Sequence, residues 1–358
     1  MRAAVRTDDA SGAANPLTGL ERQSALVAAL RDPAAFGPDC RSVEVIETHI
    51  SHVFLTGRYA YKVKKAIKLP FLDFSTLGAR RRFCDQELVL NRRTAPSLYL
   101  DVVPIVERDG RFVAGGQGPP VEWAVRMRQF PSDALLSSML ERGVLTPRDI
   151  DSLANSVAVF HASLPREGPK MQFGRPHDAL RLALDNFSEI GPFLSNAAER
   201  SRLDALREWT LSEFAARETL MTERMRDGFV RECHGDLHLA NVALDDGEAT
   251  PFDCIEFDPA MRWSDVMSDV AFAAMDLRAR GRPDFARRFV NRYLEITGDY
   301  SGVPVLPYYL VYRAIVRAKI ACVRAGRRNP RPPPLAARRS VTWTWRPTSH
   351  ALAAARSS

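Results

Sequence analysis

Cysteine is scarce in this chain: five in 358 residues, at 40, 84, 233, 254 and 322, with no C-x-x-C pair. An odd number of widely spaced thiols supplies neither a disulfide framework nor a zinc ribbon, so a reduced, cytoplasmic protein is expected. Long apolar runs are missing too, and none approaches the roughly 18 residues that cross a bilayer, so no membrane partner is expected. The N-terminal MRAAVRTDDASGAANP has no uninterrupted apolar segment and carries two acids, so no secretion signal is expected. Acids are absent altogether from Arg324 onward, where eight arginines stand without a lysine. Without them the formal net charge of +7 disappears, leaving 42 basic against 43 acidic residues. The basicity therefore belongs to a Pro/Arg-rich tail, 327–358, which reads as disordered, and nucleic acid is not an expected partner.

What is present changes texture along the chain, with no internal repeat. Residues 1–42 read as an N-terminal extension, disordered to 17 and with a short helix over 18–31. Residues 43–130 are β-rich. Two strand-like runs flank a glycine turn at Thr56–Arg58, and Asp109-Gly110 marks a hairpin. VEWAVRMRQF reads as a further strand that Pro131 ends. One helix interrupts this region, FSTLGARRRFCDQELVLNRRTA, with Ser75 as its cap. From 131 to 326 the chain is mostly helical. Thr146 caps a helix with Pro147 in its first turn and apolar residues at 150, 153, 157 and 160. Two helices share 177–224 around IGPFLSN, and the last runs over 307–323. The class is α+β: a small antiparallel β-rich part, then a larger helical one.

The richest polar stretch is ECHGDLHLANVALDDGEATPFDCIEFDP, residues 232–259. Its pattern is strand, loop, hairpin turning at Asp246-Gly247, and return, which brings Asp236 and Asn241 near Asp253. Carboxylate and amide oxygens converging from adjacent loops suit Mg²⁺ bound to phosphate, because Mg²⁺ prefers oxygen to nitrogen or sulfur. A remaining carboxylate beside such a cation can orient or deprotonate an alcohol.

H-G-D-L-H-x-x-N followed by a hairpin and an aspartate resembles the catalytic core of the aminoglycoside phosphotransferase family. That resemblance implies a protein-kinase-like two-lobed fold, with an N-lobe over 43–130 and a C-lobe over 131–326 carrying a helical substrate insertion at 168–228. It implies ATP and Mg²⁺ as cofactors, Asp236 as catalytic base, and Asn241 and Asp253 as metal ligands. His234, His238 and Asp269 are implied as supporting residues, Asp269 because DVMSDVAFAAMDL resembles the family's helix after the metal aspartate. YAYKVKK resembles the strand whose lysine grips nucleotide phosphate. Lys62 is the first choice and Lys64, on the same strand face, the second. Glu87, in CDQELVLNRR, is implied as the lysine's partner, with Lys64 nearer the strand end and in solvent. Ser51, Met127 and Gln129 complete the implied nucleotide site, adenine lying near 127–130. Coverage runs from about 43 to 323, and HISHVFLTGRYAYKVKK with APSLYLDVVPI resembles an uncharacterised bacterial subfamily.

Two features depart from the family. THISHVFLTG stands where a G-x-G-x-x-G loop is usual, leaving the amides of that turn to cover phosphate. No G-x-x-x-x-G-K-[ST] is present, although many relatives continue into a P-loop domain. The expected activity is transfer of the γ-phosphate of ATP to a hydroxyl of a small molecule. A non-catalytic nucleotide-binding pseudokinase is the alternative. A metallophosphoesterase, suggested by GDLH, lacks its further G-D and G-N-H blocks. Plain readings also stand beside individual residues: Glu87 paired with Arg82 or Arg92, His238 making a structural hydrogen bond, His161 in the core, and Cys233 and Cys254 as buried thiols.

Overall fold

Side chains alternate across a strand, and that alternation divides the work of the first sheet. The computed structural model describes residues 19–69, 72–166 and 172–328; the expectations for residues 1–17 and for the tail beyond 328 lie outside them. The chain divides after Pro131 into two compact units, and Glu256–Asp258 join the first. That unit contains α1 (Gly19–Ala29), β1 (Glu44–Glu47), β2 (Ser51–Leu55), β3 (Tyr59–Lys64), the short pair β4 (Lys68–Leu69) and β5 (Leu72–Asp73), α2 (Leu77–Asn91), β6 (Tyr99–Arg108), β7 (Arg111–Ala114) and β8 (Pro120–Arg128). Six strands pair in the order β1-β2-β3-β8-β6-β7, every pairing antiparallel. Asp109 and Gly110 both adopt positive φ, 51° and 72°, as the expected β6–β7 turn requires.

On β3, Tyr61 and Val63 face one way, into a core with Phe54, Val103, Ile105 and Ala124. Leu26 and Leu30 close the same core, so the helix read as part of an extension is a layer of this unit. Gln23 secures it: its Nε2 donates to the Lys64 carbonyl at 2.8 Å, and its Oε1 accepts from the Ala66 N–H at 2.6 Å. The other face of β3 carries Lys62 and Lys64 toward α2. The α2 cap is Thr76, not Ser75. Thr76 Oγ1 accepts the Ala79 N–H at 3.1 Å, while the Ser75 hydroxyl is engaged with Asp73.

The second unit contains α3 (Leu136–Glu141), α4 (Pro147–Ser163), α5 (Pro176–Ile190), α6 (Ala197–Arg226), β9 (Val230–Glu232), β10 (Val242–Asp245), β11 (Glu248–Pro251), α7 (Pro259–Arg262), β12 (Trp263–Asp265), α8 (Val266–Ala279), α9 (Pro283–Thr297) and α10 (Leu306–Arg328). Thr146 and Asp149 form a reciprocal capping box at the start of α4, with Pro147 in its first turn. Ile150, Leu153, Val157 and Phe160 are all buried, as their spacing predicts. Every residue of α8 from Val266 to Leu277 is buried, so this helix is the axis on which the unit packs. The segment entering the polar stretch, β9, pairs with β12 rather than with the β10–β11 hairpin. None of the described helices is long and apolar enough to cross a membrane.

The start of α8 is tied to α6 by a buried guanidinium. Arg224 donates to Asp265 at 2.7 and 2.8 Å and to Asp299 at 2.6 and 2.8 Å, and a fifth bond reaches Ser301. Asp265 is also the α8 N-cap, accepting the Met267 N–H. Removing this cation leaves two carboxylates buried without a counter-charge, which costs about 3–5 kcal/mol. Arg224→Met is therefore expected to lower unfolding stability by that amount in urea. A loss below about 1 kcal/mol would show the carboxylates reaching water.

Candidate active site

Helix α8 holds the polar loop through two carboxylates seven residues apart. That separation is close to two helical turns, so Asp269 and Asp276 lie on one face. Asp269 accepts the His234 N–H at 2.7 Å and the Gly235 N–H at 3.0 Å; Asp276 accepts the Leu239 N–H at 3.0 Å. Arg313, from α10, donates to the Gly235 carbonyl at 2.9 Å and to the Ser268 hydroxyl at 3.1 Å. His161 lies on the far side of Asp269, with its Nε2 3.4 Å from Asp269 Oδ2 and its Nδ1 2.9 Å from the Tyr293 hydroxyl. Burial works against the Asp269 charge, but the bond and charge of His161, with His234 and Arg313, bring its pKa down to about 2. The loop turns at Gly235, φ +84°. A Cβ there would sit 3.1 Å from the Met261 carbonyl oxygen and 3.3 Å from the Arg262 Cα, so only glycine fits.

The loop aims one carboxylate outward. Asp236 keeps 35% of its side chain exposed, and His238 Nε2 stands 3.5 Å from its Oδ2. Burial opposes the charge, yet His238, His234 and Arg317 together hold this carboxyl well below the usual range, so it is ionised near neutrality. His234 is the loop's internal brace. Its Nδ1 accepts the Asp236 N–H at 3.3 Å, and Nε2 stands 2.9 Å from the Phe252 carbonyl. Those partners select the neutral tautomer with the proton on Nε2, and burial lowers the pKa in the same direction. His238 Nδ1 is buried and lacks a hydrogen-bond partner among the described residues, while its ring stands edge-on to Phe272.

Asn241 faces Asp236 across the loop. Its amide nitrogen donates to the Asp236 carbonyl at 3.1 Å and to the carboxylate Oδ2 at 3.0 Å, which fixes the orientation of the amide group. The β10–β11 register sets Val242 opposite Pro251, and the Phe252 N–H donates to the Asn241 carbonyl at 2.9 Å. Asp253 follows with φ +62°, a left-handed conformation of the sort that strained functional positions adopt. The hairpin thus brings the Asn241 and Asp253 backbones together, and amide and carboxylate oxygens are donor types that Mg²⁺ favours. Cys233 and Cys254 are buried free thiols.

In the first unit the lysines and Glu87 meet. Lys62 Nζ is 2.7 Å from Glu87 Oε1, and Lys64 Nζ is 2.6 Å from Oε2. Glu87 is fully buried. Burial opposes its charge, but the two lysines bring the pKa to about 2. Lys64 corrects the expectation of a solvated side chain: it is 0% exposed and also pairs with Glu256, whereas Lys62 is 7% exposed. Strand β2, itself covered by β1, and α2 enclose it, because Lys64 lies opposite Ser51 rather than beyond the sheet. Ser51 is likewise buried, its hydroxyl without a partner among the described residues. Glu256 was missed by sequence reasoning; its place in DCIEF, three residues past Asp253, was the available signal. Arg313 carried none, since its distance along the chain hides its contact with Gly235.

The turn replacing the glycine-rich loop is largely closed on itself. Thr48 Oγ1 accepts the Ser51 N–H at 2.9 Å and that of Ile50 at 3.4 Å, and the Thr48 N–H donates to the Ser51 carbonyl at 2.9 Å. Three amides proposed to cover phosphate are therefore engaged. Met127 lies in β8 opposite Ala60, and Gln129 Oε1 accepts the Gly57 N–H at 2.9 Å.

Uncharacterised proteins of Mycobacterium tuberculosis (strain H37Rv) and Mycobacterium bovis are each 32% identical over 289 residues, 80% of this chain. The chain spans 56% of the length of those relatives. Among solved structures, a choline/ethanolamine kinase family protein from Mesorhizobium loti aligns with TM-score 0.49 and 12% identity, over 86% of this chain and 88% of that one. An aminoglycoside phosphotransferase from Alicyclobacillus acidocaldarius aligns with TM-score 0.35 and 12% identity, over 82% and 94%. Residues 129–306, which contain the loop, the hairpin and α8, match the phosphotransferase enzyme family. With its antiparallel sheet, mostly helical second unit and this match, the chain belongs to the phosphotransferase enzyme family and has a kinase-like α+β fold.

Proposed function

We propose that this protein is a Mg²⁺- and ATP-dependent phosphotransferase that moves the γ-phosphate to a hydroxyl group of a small molecule. One observation carries the reading. Asp236 is an ionised, partly exposed carboxylate on a loop whose amides are pinned by Asp269 and Asp276. A carboxylate so held can align an alcohol and accept its proton as the oxygen attacks phosphorus. Asn241 and Asp253 would hold Mg²⁺, and Lys62 would meet phosphate. The bound cation would supply neutralisation of phosphate charge, the main requirement of phosphoryl transfer. Five free cysteines suit a reducing, cytoplasmic setting.

The self-closed turn at 48–51 favours one other reading, a nucleotide-binding pseudokinase. Calorimetry with Mg-ATP, followed by ADP release with a panel of hydroxyl metabolites, separates the two. Binding without turnover across the panel would support the pseudokinase.

The roles assigned to the two carboxylates are separable. Asp253→Ala is expected to weaken Mg-ATP binding by at least about tenfold, the scale of a lost charge-assisted contact. Asp236→Ala should bind within about threefold of wild type yet lose roughly 10²–10⁴ in transfer rate, as expected for general-base catalysis. Equal loss of nucleotide by both variants would refute this division.

Asp269 gives a pH signature. Its folded pKa of about 2 lies below the ordinary 3.8, so its stabilisation is complete above pH 4 and is lost as pH falls toward 2. Asp269→Asn is expected to remove about 2 kcal/mol at neutral pH and to flatten the urea midpoint between pH 4 and 2. An unchanged slope in that window would assign the acid sensitivity elsewhere.

A further inference from the structure

Lysine is rare here. Only six of the fifty basic residues are lysines, and four of those six fall between 62 and 68. Arginine is the chain's habitual cation, so two neighbouring buried lysines mark a place where a compact ammonium is needed rather than a planar fork. Lys62 and Lys64 share one face of β3, but their surroundings differ. Lys62 retains 7% exposure and lies against Glu87 Oε1. Lys64 has no exposed surface; it lies against Glu87 Oε2 and Glu256, with its Nζ 5.1 Å from the centre of the Phe74 ring. An ammonium enclosed by two carboxylates and a ring has no surface to offer a phosphate.

The arrangement is a balanced set of four charges. Glu87 divides its two oxygens between two lysines, and Glu256 gives Lys64 a second carboxylate. Were Glu256 neutral, two buried cations would compete for Glu87. The more deeply desolvated one, Lys64, would draw the carboxylate, because a buried unpaired charge is the costliest state available. Lys62 would then lose the Glu87 oxygen that now holds it. Glu256 lies three residues beyond Asp253, where the chain contributes Glu256–Asp258 to the first unit before returning at Pro259.

We propose that Lys64 and Glu256 are positioning residues for Lys62: their pairing leaves one Glu87 oxygen for Lys62, and Lys62 alone of the two lysines meets phosphate. This rests on the phosphotransferase reading above. It makes Glu256 part of the nucleotide apparatus although it touches no nucleotide.

The test compares Mg-ATP affinity by calorimetry, alongside melting temperature, in wild type, Glu256→Gln, Lys62→Met and the pair Lys64→Met/Glu256→Met. Glu256→Gln is expected to weaken Mg-ATP roughly tenfold, on the scale of a misplaced charged hydrogen bond. The paired variant removes both members and restores a simple Lys62–Glu87 couple, so its affinity should return to within about threefold of wild type. Lys62→Met should be the weakest binder. That rescue is what a merely structural role would not produce. A paired variant as weak as Lys62→Met would overturn the inference, because Lys64 would then be meeting phosphate itself. So would a Glu256→Gln protein that binds Mg-ATP within twofold of wild type. Should Glu256→Gln fail to fold, the paired variant alone decides by the same criterion. Wild-type protein that does not bind Mg-ATP would overturn the functional reading and this inference together, whereas normal wild-type binding with an unaffected Glu256→Gln overturns this inference alone.

Discussion

The site depends on the bonds between one helix and one loop. Asp269 and Asp276 face the loop from α8 and accept three of its amide protons. An irregular loop has few backbone partners of its own, and buried amides left unpaired are costly. Two carboxylates on a buried helix solve that problem and also define where the loop runs. Asp236 is then directed outward, and Asn241 is oriented by its two bonds to Asp236. The helix is rigid in turn because its N-cap, Asp265, is held by Arg224 and its body is enclosed by α4, α9 and α10.

Charge is handled oppositely at the two groups of site residues. Around Asp236 the carboxylate stays partly exposed, and histidines and Arg317 favour its ionised form. Around β3 the charges are buried and cancel in pairs, because desolvated ions persist only with close partners. Burial pushes the Glu256 carboxyl upward against the pull of Lys64, while Glu87, shared by two lysines, is held low. Exposure suits a group that must receive substrate. Complete burial, as at Lys64, leaves a charge able to act only through its partners.

Membership of a phosphotransferase family rests on residues 129–306, which include the loop and its helix. Folds at this level host several acceptors, so the acceptor is a property of the pocket rather than of the family. The self-bonded Thr48 turn shows how far the first unit departs from a glycine-rich loop. A threonine hydroxyl takes up amides that a glycine turn would leave open.

Much of the architecture was legible because local chemistry and period decide it. Asp109-Gly110 and Asp246-Gly247 turn where such pairs tolerate positive φ, and Thr146-Pro147 starts α4. The spacing of His234, Asp236 and Asn241 within eight residues made the loop recognisable, and the hairpin turn brought Asp253 beside it. Alternation placed Lys62 and Lys64 on one face but could not rank them, since period two treats them alike. Their difference is made by Glu256, nearly two hundred positions away in sequence, and by Phe74, neither of which local pattern can connect to β3. Ser75 was the expected cap, but Asp73 engages its hydroxyl and Thr76 caps the helix instead. The sequence by itself determined which elements form and where the polar loop and its hairpin lie, because turns, caps and periods act over a few residues. Only the tertiary structure decided which lysine is enclosed, which helix holds the loop and which amides are already engaged, because burial and pairing depend on residues brought together from distant parts of the chain.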